Sequence, residues 1–99
     1  MKQFKYRISQ KAVEDIEGIW VYTFKNWSVK QADRYYKLIF DEIEFITKNP
    51  LSGKSMEHVR KGYRASMVKS HMIFYRIVNQ EYIEIIRILH QMMDVKGNL

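Results

Sequence analysis

The sequence predicts an α+β domain: an N-terminal strand, a two-helix antiparallel hairpin, then a three-stranded antiparallel sheet. Three observations carry this prediction. Phe4, Tyr6 and Ile8 alternate with Lys5 and Arg7, the period of a strand with one buried face. From Ala12 to Ile46 the apolar residues recur at three- and four-residue spacing, in two stretches each opened by a serine. From Tyr63 onward the chain returns to short runs rich in β-branched and aromatic residues, divided by brief turns.

Ser9 marks the change from strand to helix, since its side chain can accept a hydrogen bond from an otherwise unpaired amide of the first turn. Glu14, Asp15 and Glu17 follow early enough to favour the positive end of the helix dipole. The first helix presents Ala12, Ile16, Ile19, Trp20 and Thr23 as one stripe. Gly18 inside it costs about 1 kcal/mol against alanine, which close approach of the second helix would offset. That helix opens at "WSVKQA", where Ser28 and Gln31 have the spacing of a reciprocal capping box. Ala32, Tyr35, Tyr36, Ile39, Ile43 and Ile46 continue the period until Asn49 meets Pro50, which pushes the preceding residue out of the helical region.

Leu51 to Gly62 is polar and punctuated by Gly53 and Gly62, so it reads as a loop or irregular basic segment. "YRASMV", "HMIFYRIV" and "YIEIIRILH" read as strands, with Asn79-Gln80-Glu81 as the turn between the last two. A three-residue turn sets Val78 against Tyr82 and Arg76 against Glu84, a cross-strand charge pair that supports the register. Continued without interruption, it sets Ile73 against Arg87 and His71 against Leu89. His71 and Arg87 then share a face with Tyr75 and Ile85, while Phe74, Ile86 and Ile88 point the other way. One face takes the helices and the other is left for function.

With 99 residues, 46% hydrophobic and 14% aromatic, residues 1–99 form one domain with a real core but a modest stability margin. Cysteine is absent and the three histidines lack ligand spacing, so neither a metal nor another cofactor is expected. No apolar run approaches the roughly 20 residues of a membrane span, and the opening Met1-Lys2-Gln3-Phe4-Lys5 does not lead into a signal-peptide core. A cytoplasmic protein is expected. The net charge of +6 is unevenly placed. Ser9 to Asn49 is nearly neutral, whereas Lys54, Arg60, Lys61, Arg64, Lys69 and Arg76 face only Glu57. Such a patch favours an anionic partner, either an acidic protein segment or nucleic acid, although a solvated surface without a target has the same composition.

"RILHQMMD" concentrates Arg87, His90 and Asp94 near the end of the chain. Metal-free RNA cleavage needs a base for the 2′-hydroxyl, a cation for the phosphorane and an acid for the leaving oxygen. Arg64, His71, Tyr75, Arg87 and His90 are the residues available for those roles. Arg87 and His90, however, have opposite strand parity. The alternative for Arg87 is a partly buried anchor for a carboxylate, Asp94 or the C-terminus; for His90 it is a satisfied edge residue.

Ser9, Ala12 and Asp15-Ile16, "WSVKQA", "NPLSG", "GYR", "SHMIFYR" and "IIRILHQMMD" together resemble the ParE toxins of the wider RelE/ParE toxin–antitoxin superfamily. The resemblance spans nearly the whole chain in order. It implies an antiparallel sheet carrying a helical hairpin, and a toxin associated with growth inhibition and plasmid stabilization. ParE-like toxins poison DNA gyrase, whereas RelE-like relatives are ribosome-dependent messenger RNA endoribonucleases; both are silenced by an antitoxin. Arg87 matches the strand arginine shared across the superfamily. The late aromatic acid–base group of the nucleases is missing, since Gln91, Met92 and Met93 follow His90, so the resemblance favours a gyrase inhibitor that is not an enzyme. His90 as a substitute acid–base keeps the nuclease alternative open, with Arg64, His71, Arg87 and His90 as its catalytic set.

For a ParE-like toxin the expected partners are a ParD-like antitoxin and DNA gyrase, with direct nucleic-acid binding not favoured. Tyr22, Trp27 and Tyr35 are the candidate antitoxin anchors on the hairpin, and Lys54, Arg60 and Lys61 the candidate electrostatic contacts. Arg64, His71, Arg87 and His90 are the candidate target contacts, on the exposed sheet face and tail. Trp20 and Tyr36 are expected in the core.

Overall fold

The computed structural model describes residues 3–99; Met1 and Lys2, the first residues of the opening segment, lie outside it. β1 (Lys5–Ile8) leads into α1 (Gln10–Asn26) and α2 (Val29–Lys48). β2 (Lys54–Ser55), β3 (Tyr63–Val68), β4 (His71–Ile77), β5 (Tyr82–His90) and the short α3 (Val95–Asn98) follow. The five strands form one sheet in the order β1-β5-β4-β3-β2. The class is therefore α+β, with two additions to the expected sheet. β1 joins it parallel to β5, with Lys5 beside Tyr82 and Ile8 beside Ile85. β2 adds an edge strand, Lys54 pairing with Ala65, inside the segment that reads as a loop. Two residues are too few to show a period.

The serines act as expected. Ser9 Oγ accepts from the Ala12 amide at 3.0 Å, and Ser28 Oγ from the Gln31 amide at 3.1 Å. The reciprocal bond from Gln31 does not form, so Ser28 is a simple N-cap. No acidic residue stands in the first turn of α1, which puts Glu14 and Asp15 beyond the strong field of the helix end. Glu14 accepts instead from Gln10. Helix α2 ends at Lys48, before the Asn49-Pro50 pair.

Helices and sheet enclose a core of Ala12, Ile16, Ile39, Ile43, Ile46, Ile73, Tyr75, Ile83, Ile85 and Ile88, among others. Trp20 is only half-buried, its indole donating to Asp33 at 3.0 Å, and Tyr36 is exposed against the expectation that both are core. The second face of the sheet is not left bare. Met56, Ala65, Phe74 and Leu89 form a smaller cluster there, with Val59, Tyr63, Met72, Val95 and Leu99 packed against it. The segment before β3 and the C-terminal tail thus occupy the face expected to be free.

The β4–β5 register begins as the turn dictates: Arg76 faces Glu84, their side chains 2.9 Å apart, and Asn79 Oδ1 accepts from the Glu81 and Tyr82 amides. It then shifts. Tyr75 pairs with Ile85 but Phe74 pairs with Arg87, leaving Ile86 as the extra residue of a β-bulge. Because side-chain direction alternates along a strand, one inserted residue exchanges the faces of everything beyond it. Ile88 moves into the helix-side core, Leu89 and Arg87 to the second face, and His90 comes opposite His71. The expected pairings of Ile73 with Arg87 and His71 with Leu89, and the shared face of His71 and Arg87, are corrected by this bulge.

Tyr75 fastens the far end of the helix-side core. Its hydroxyl donates to the Pro50 carbonyl at 2.8 Å and accepts from the Gly53 amide at 2.9 Å. A Cβ on Gly53 would collide with that hydroxyl, so the residue just before β2 has to be glycine for the ring to reach both groups. Burial raises the phenol's pKa and keeps it a donor. Tyr75→Phe removes both partners at once from groups that water reaches poorly. Urea denaturation should show a loss of about 1–3 kcal/mol with an unchanged m-value.

Candidate functional site

A groove of about 930 Å³ runs between the helical hairpin and the end of the sheet where β3 turns into β4. Ile19, Tyr22, Trp27, Leu38 and Ile88 give it apolar walls. Tyr22 and Trp27, 62% and 66% exposed, stand toward the turn between α1 and α2 with ring centroids 6.2 Å apart. They are exposed because the two helices extend beyond the sheet. Gly18 also lines the groove, and a Cβ built on it meets nothing within 4 Å. The expected close approach of α2 at Gly18 is therefore absent.

The other end of the groove is polar. His71 and His90 face one another across β4 and β5, ring centroids 5.3 Å apart and perpendicular. Tyr35 reaches them from α2, with its hydroxyl 2.6 Å from His71 Nδ1 and 3.1 Å from the Val68 carbonyl oxygen. Burial raises the Tyr35 pKa, so it stays protonated. His71 has its pKa lowered, first by burial and then by His90, with Asp15 opposing. His90 Nδ1 accepts from the Met92 amide at 3.1 Å, which places the proton of the neutral ring on Nε2. Lys69 and Arg34 complete this end. Lys69 has φ +54 in the two-residue turn between β3 and β4, a conformation that favours glycine.

Arg87 lies outside the groove. Its Nε and Nη2 donate to the two oxygens of Asp15, both at 2.8 Å, and its Nη1 donates to the Asn98 carbonyl at 2.9 Å. Asp15 Oδ2 also accepts from the Ile88 amide at 2.9 Å. The side chains of the pair are only 16% and 14% exposed. These bonds raise the guanidinium pKa further and fix its charge. The carboxylate that anchors Arg87 is thus Asp15, and neither Asp94 nor the C-terminus. Arg64 is similarly engaged, donating to the carbonyls of Leu51 and Gly53, and pairs with Tyr75 at the far end of β4 from His71.

Of the residues expected to contact a target, the fold brings together His71 and His90 and keeps Arg64 and Arg87 apart from them. The same four were the nuclease set, and it is not assembled. Of the expected antitoxin contacts, Tyr22, Trp27 and Tyr35 all line the groove. Lys54, Arg60 and Lys61 lie on β2 and in the segment after it, exposed and outside the groove. Asp15, Lys69, Arg34 and Gly18 escape sequence reading. Lys11, four residues before Asp15, is the partner that helical spacing offers; the actual one is 72 residues away.

A family model described as the ParE toxin of the type II toxin–antitoxin system, parDE, matches residues 6–95. Toxin ParE1 of Mycobacterium tuberculosis (strain CDC 1551 / Oshkosh) is 37% identical over 95 residues, covering 96% of this chain and 97% of that one. Toxin ParE1 of Caulobacter vibrioides is 39% identical over 94 residues, covering 95% and 96%. The chain belongs to the ParE toxin family. Its fold is also that of a chain from a chromosomal ParDE system of P. aeruginosa, with TM-score 0.77 at 17% identity over 89% of this chain and 96% of that one. A chain of the RelBE2 toxin–antitoxin complex of Mycobacterium tuberculosis matches at TM-score 0.67 and 18% identity, covering 90% and 99%.

Two outcomes follow for this ParE-family chain. Asp15→Asn strands a partly buried guanidinium and should cost roughly 3 kcal/mol in urea denaturation, the low end for a broken buried pair because some water reaches it. Adding Arg87→Met should recover part of that loss, and a double-mutant cycle without coupling would refute the clasp. Gly18→Ala fills open space in a helix. It should stabilise the chain by up to about 1 kcal/mol, read as a higher Tm.

Proposed function

We propose that this chain is the toxin of a type II pair, silenced by a ParD-like antitoxin in the groove and acting by binding DNA gyrase, not by cleaving RNA. The observation that carries the antitoxin assignment is the apolar groove with its uncovered aromatics. Tyr22 and Trp27 together expose large rings beside Ile19 and Leu38, the composition of a surface that receives the apolar stripe of an amphipathic helix. A helix about 10 Å across fills such a groove over roughly two turns. Lys54, Arg60 and Lys61 supply a separate positive region, and the β2 edge an unpaired strand, for a more extended and acidic part of the same partner.

The gyrase assignment rests on family membership and on the chemistry of the arginines. A phosphoryl site needs mobile or preorganised cations aimed at the reacting phosphate. Arg87 is closed around Asp15 and the Asn98 carbonyl, and Arg64 around two carbonyls of the β2 approach. Inhibition by binding makes no such demand. A cytoplasmic location is the one such a target requires, and among the described residues no helix is long and apolar enough to cross a membrane.

Purified protein assayed for gyrase supercoiling and DNA cleavage, beside a translation reaction scored for messenger cleavage, separates the readings. The expected result is lost supercoiling with accumulated cleaved DNA and intact messenger, reversed by the antitoxin. Messenger cleavage with untouched gyrase would overturn it and direct attention to His71 and His90.

A further inference from the structure

The polar end of the groove carries more specific information than its walls. Arg34 and Lys69 enter no ion pair among the described residues, whose three salt bridges are Lys37–Asp41, Arg76–Glu84 and Arg87–Asp15. Lining the groove with His71 are Glu14 and Asp15 from α1, Arg34 and Tyr35 from α2, Lys69 from the turn and His90 from β5, of which His90 and Asp15 act on the charge of His71. Asp15 is paired with Arg87 and Glu14 accepts from Gln10, while the Asp15 charge still acts on His71. Among the described residues that line the groove, Arg34 and Lys69 are the cations without an ion pair. Lys69 also holds a backbone conformation that favours glycine, as a two-residue hairpin turn requires.

The hydrogen bonds specify what the histidines can do. His71 Nδ1 and His90 Nδ1 are both engaged, and no buried side-chain nitrogen lacks a partner among the described residues. Neither Nε2 is therefore fully buried, and both rings line the groove. Tyr35 can donate to the Val68 carbonyl while accepting from His71 Nδ1–H, so His71 can take a second proton without losing a bond. His90 differs: its Nδ1 must accept from Met92, and a proton there would oppose that amide.

We propose that this end of the groove is a seat for one carboxylate of the antitoxin's helical segment, received by Lys69, His71 and the Nε2–H of His90, and that seating it draws one proton onto His71. The inference rests on the antitoxin reading above and adds the chemistry of its anchor: an apolar stripe ended by an aspartate or glutamate. A phosphate of a nucleic acid is the less fitting occupant, because the walls beyond the seat are apolar and only Arg34 and Lys69 stand free to follow a backbone.

In the free chain burial and His90 hold the His71 pKa below 6.5, so the ring is neutral at pH 7. A carboxylate at Nε2 favours the charged form and raises that pKa in the complex. Binding then takes up a proton between the two values, and affinity rises as pH falls through that window.

The test is titration of the chain with its ParD-like antitoxin from pH 8 to 6 at fixed salt. Kd should fall by less than the roughly tenfold limit that a lift of about one unit in the His71 pKa would set, because pH 6 does not lie well below the free value. His71→Gln should flatten that slope, and Lys69→Ala should weaken binding severalfold at every pH. Since His71→Gln alters the Tyr35 network and could unfold the chain, NMR titration of the His71 ring in the unmodified protein provides the second reading. Its pKa should rise on complex formation. A complex that forms with a flat pH profile and an unmoved His71 pKa overturns this proposal and leaves the antitoxin reading standing; no complex at any pH overturns both. If single-stranded RNA, and not the antitoxin, shifts the His71 signal, the seat is a phosphate site and the proposal fails.

Discussion

The single unpaired residue in β5, Ile86, decides where the chemistry of this chain lies. Up to Ile85 the strand is bordered by β1, and beyond it β1 has ended, so the same edge would expose its polar groups. The start of α1 closes it. The Ser9 amide and hydroxyl donate to the carbonyls of Ile85 and Ile86, and Asp15 accepts from the Ile88 amide. The same carboxylate takes two donors from Arg87, whose third donor holds the Asn98 carbonyl. One carboxylate thereby joins α1, the bulged strand and the C-terminal turn.

This arrangement explains why the most prominent cation of the sequence is the least available one. An arginine in the last strand reads as a ligand for phosphate because its fork geometry suits phosphate and carboxylate alike. Here the carboxylate is internal. The bulge that turns Arg87 away from the helix-side face also brings His90 onto it, opposite His71. His90, read from the sequence as a satisfied edge residue or a substitute acid–base, becomes half of a pair with His71 that lines the groove.

The fold was legible where it depends on local rules. Ser9 and Ser28 cap the helices, Asn49-Pro50 ends the second, and the Asn79 turn sets the start of the β4–β5 register, because each is a short-range effect of a side chain on its own backbone. The bulge was not legible. Ile85-Ile86 offers two equivalent apolar residues, and nothing in the alternation says which is unpaired. β2 was missed for its length. The parallel placement of β1 depends on the path of the whole hairpin. Tyr22 and Trp27 could be picked out as groove residues because aromatics beyond the apolar stripe of a helix have no core to enter, whereas Tyr35 stands on that stripe and reaches both core and groove. Lys69 was legible only as one member of the basic patch, since its distinction is a backbone angle and a place in the groove that the folded chain alone shows.

The groove and the core draw on the same elements, and that bears on how a partner would act. Ile19 and Tyr35 pack against the helix-side core and also line the groove, and Ile88 belongs to both. A segment filling the groove covers the protruding half of the hairpin without any need to rearrange the sheet. It would therefore stabilise the toxin by mass action, about 2.7 kcal/mol at one hundred times the Kd, a large share for a domain of this size. On the proposed reading, losing the antitoxin frees the toxin's surface and removes that support together. The Asp15–Arg87 clasp helps the freed chain keep its shape, because it joins α1, β5 and the C-terminal turn from inside the molecule and owes nothing to the partner.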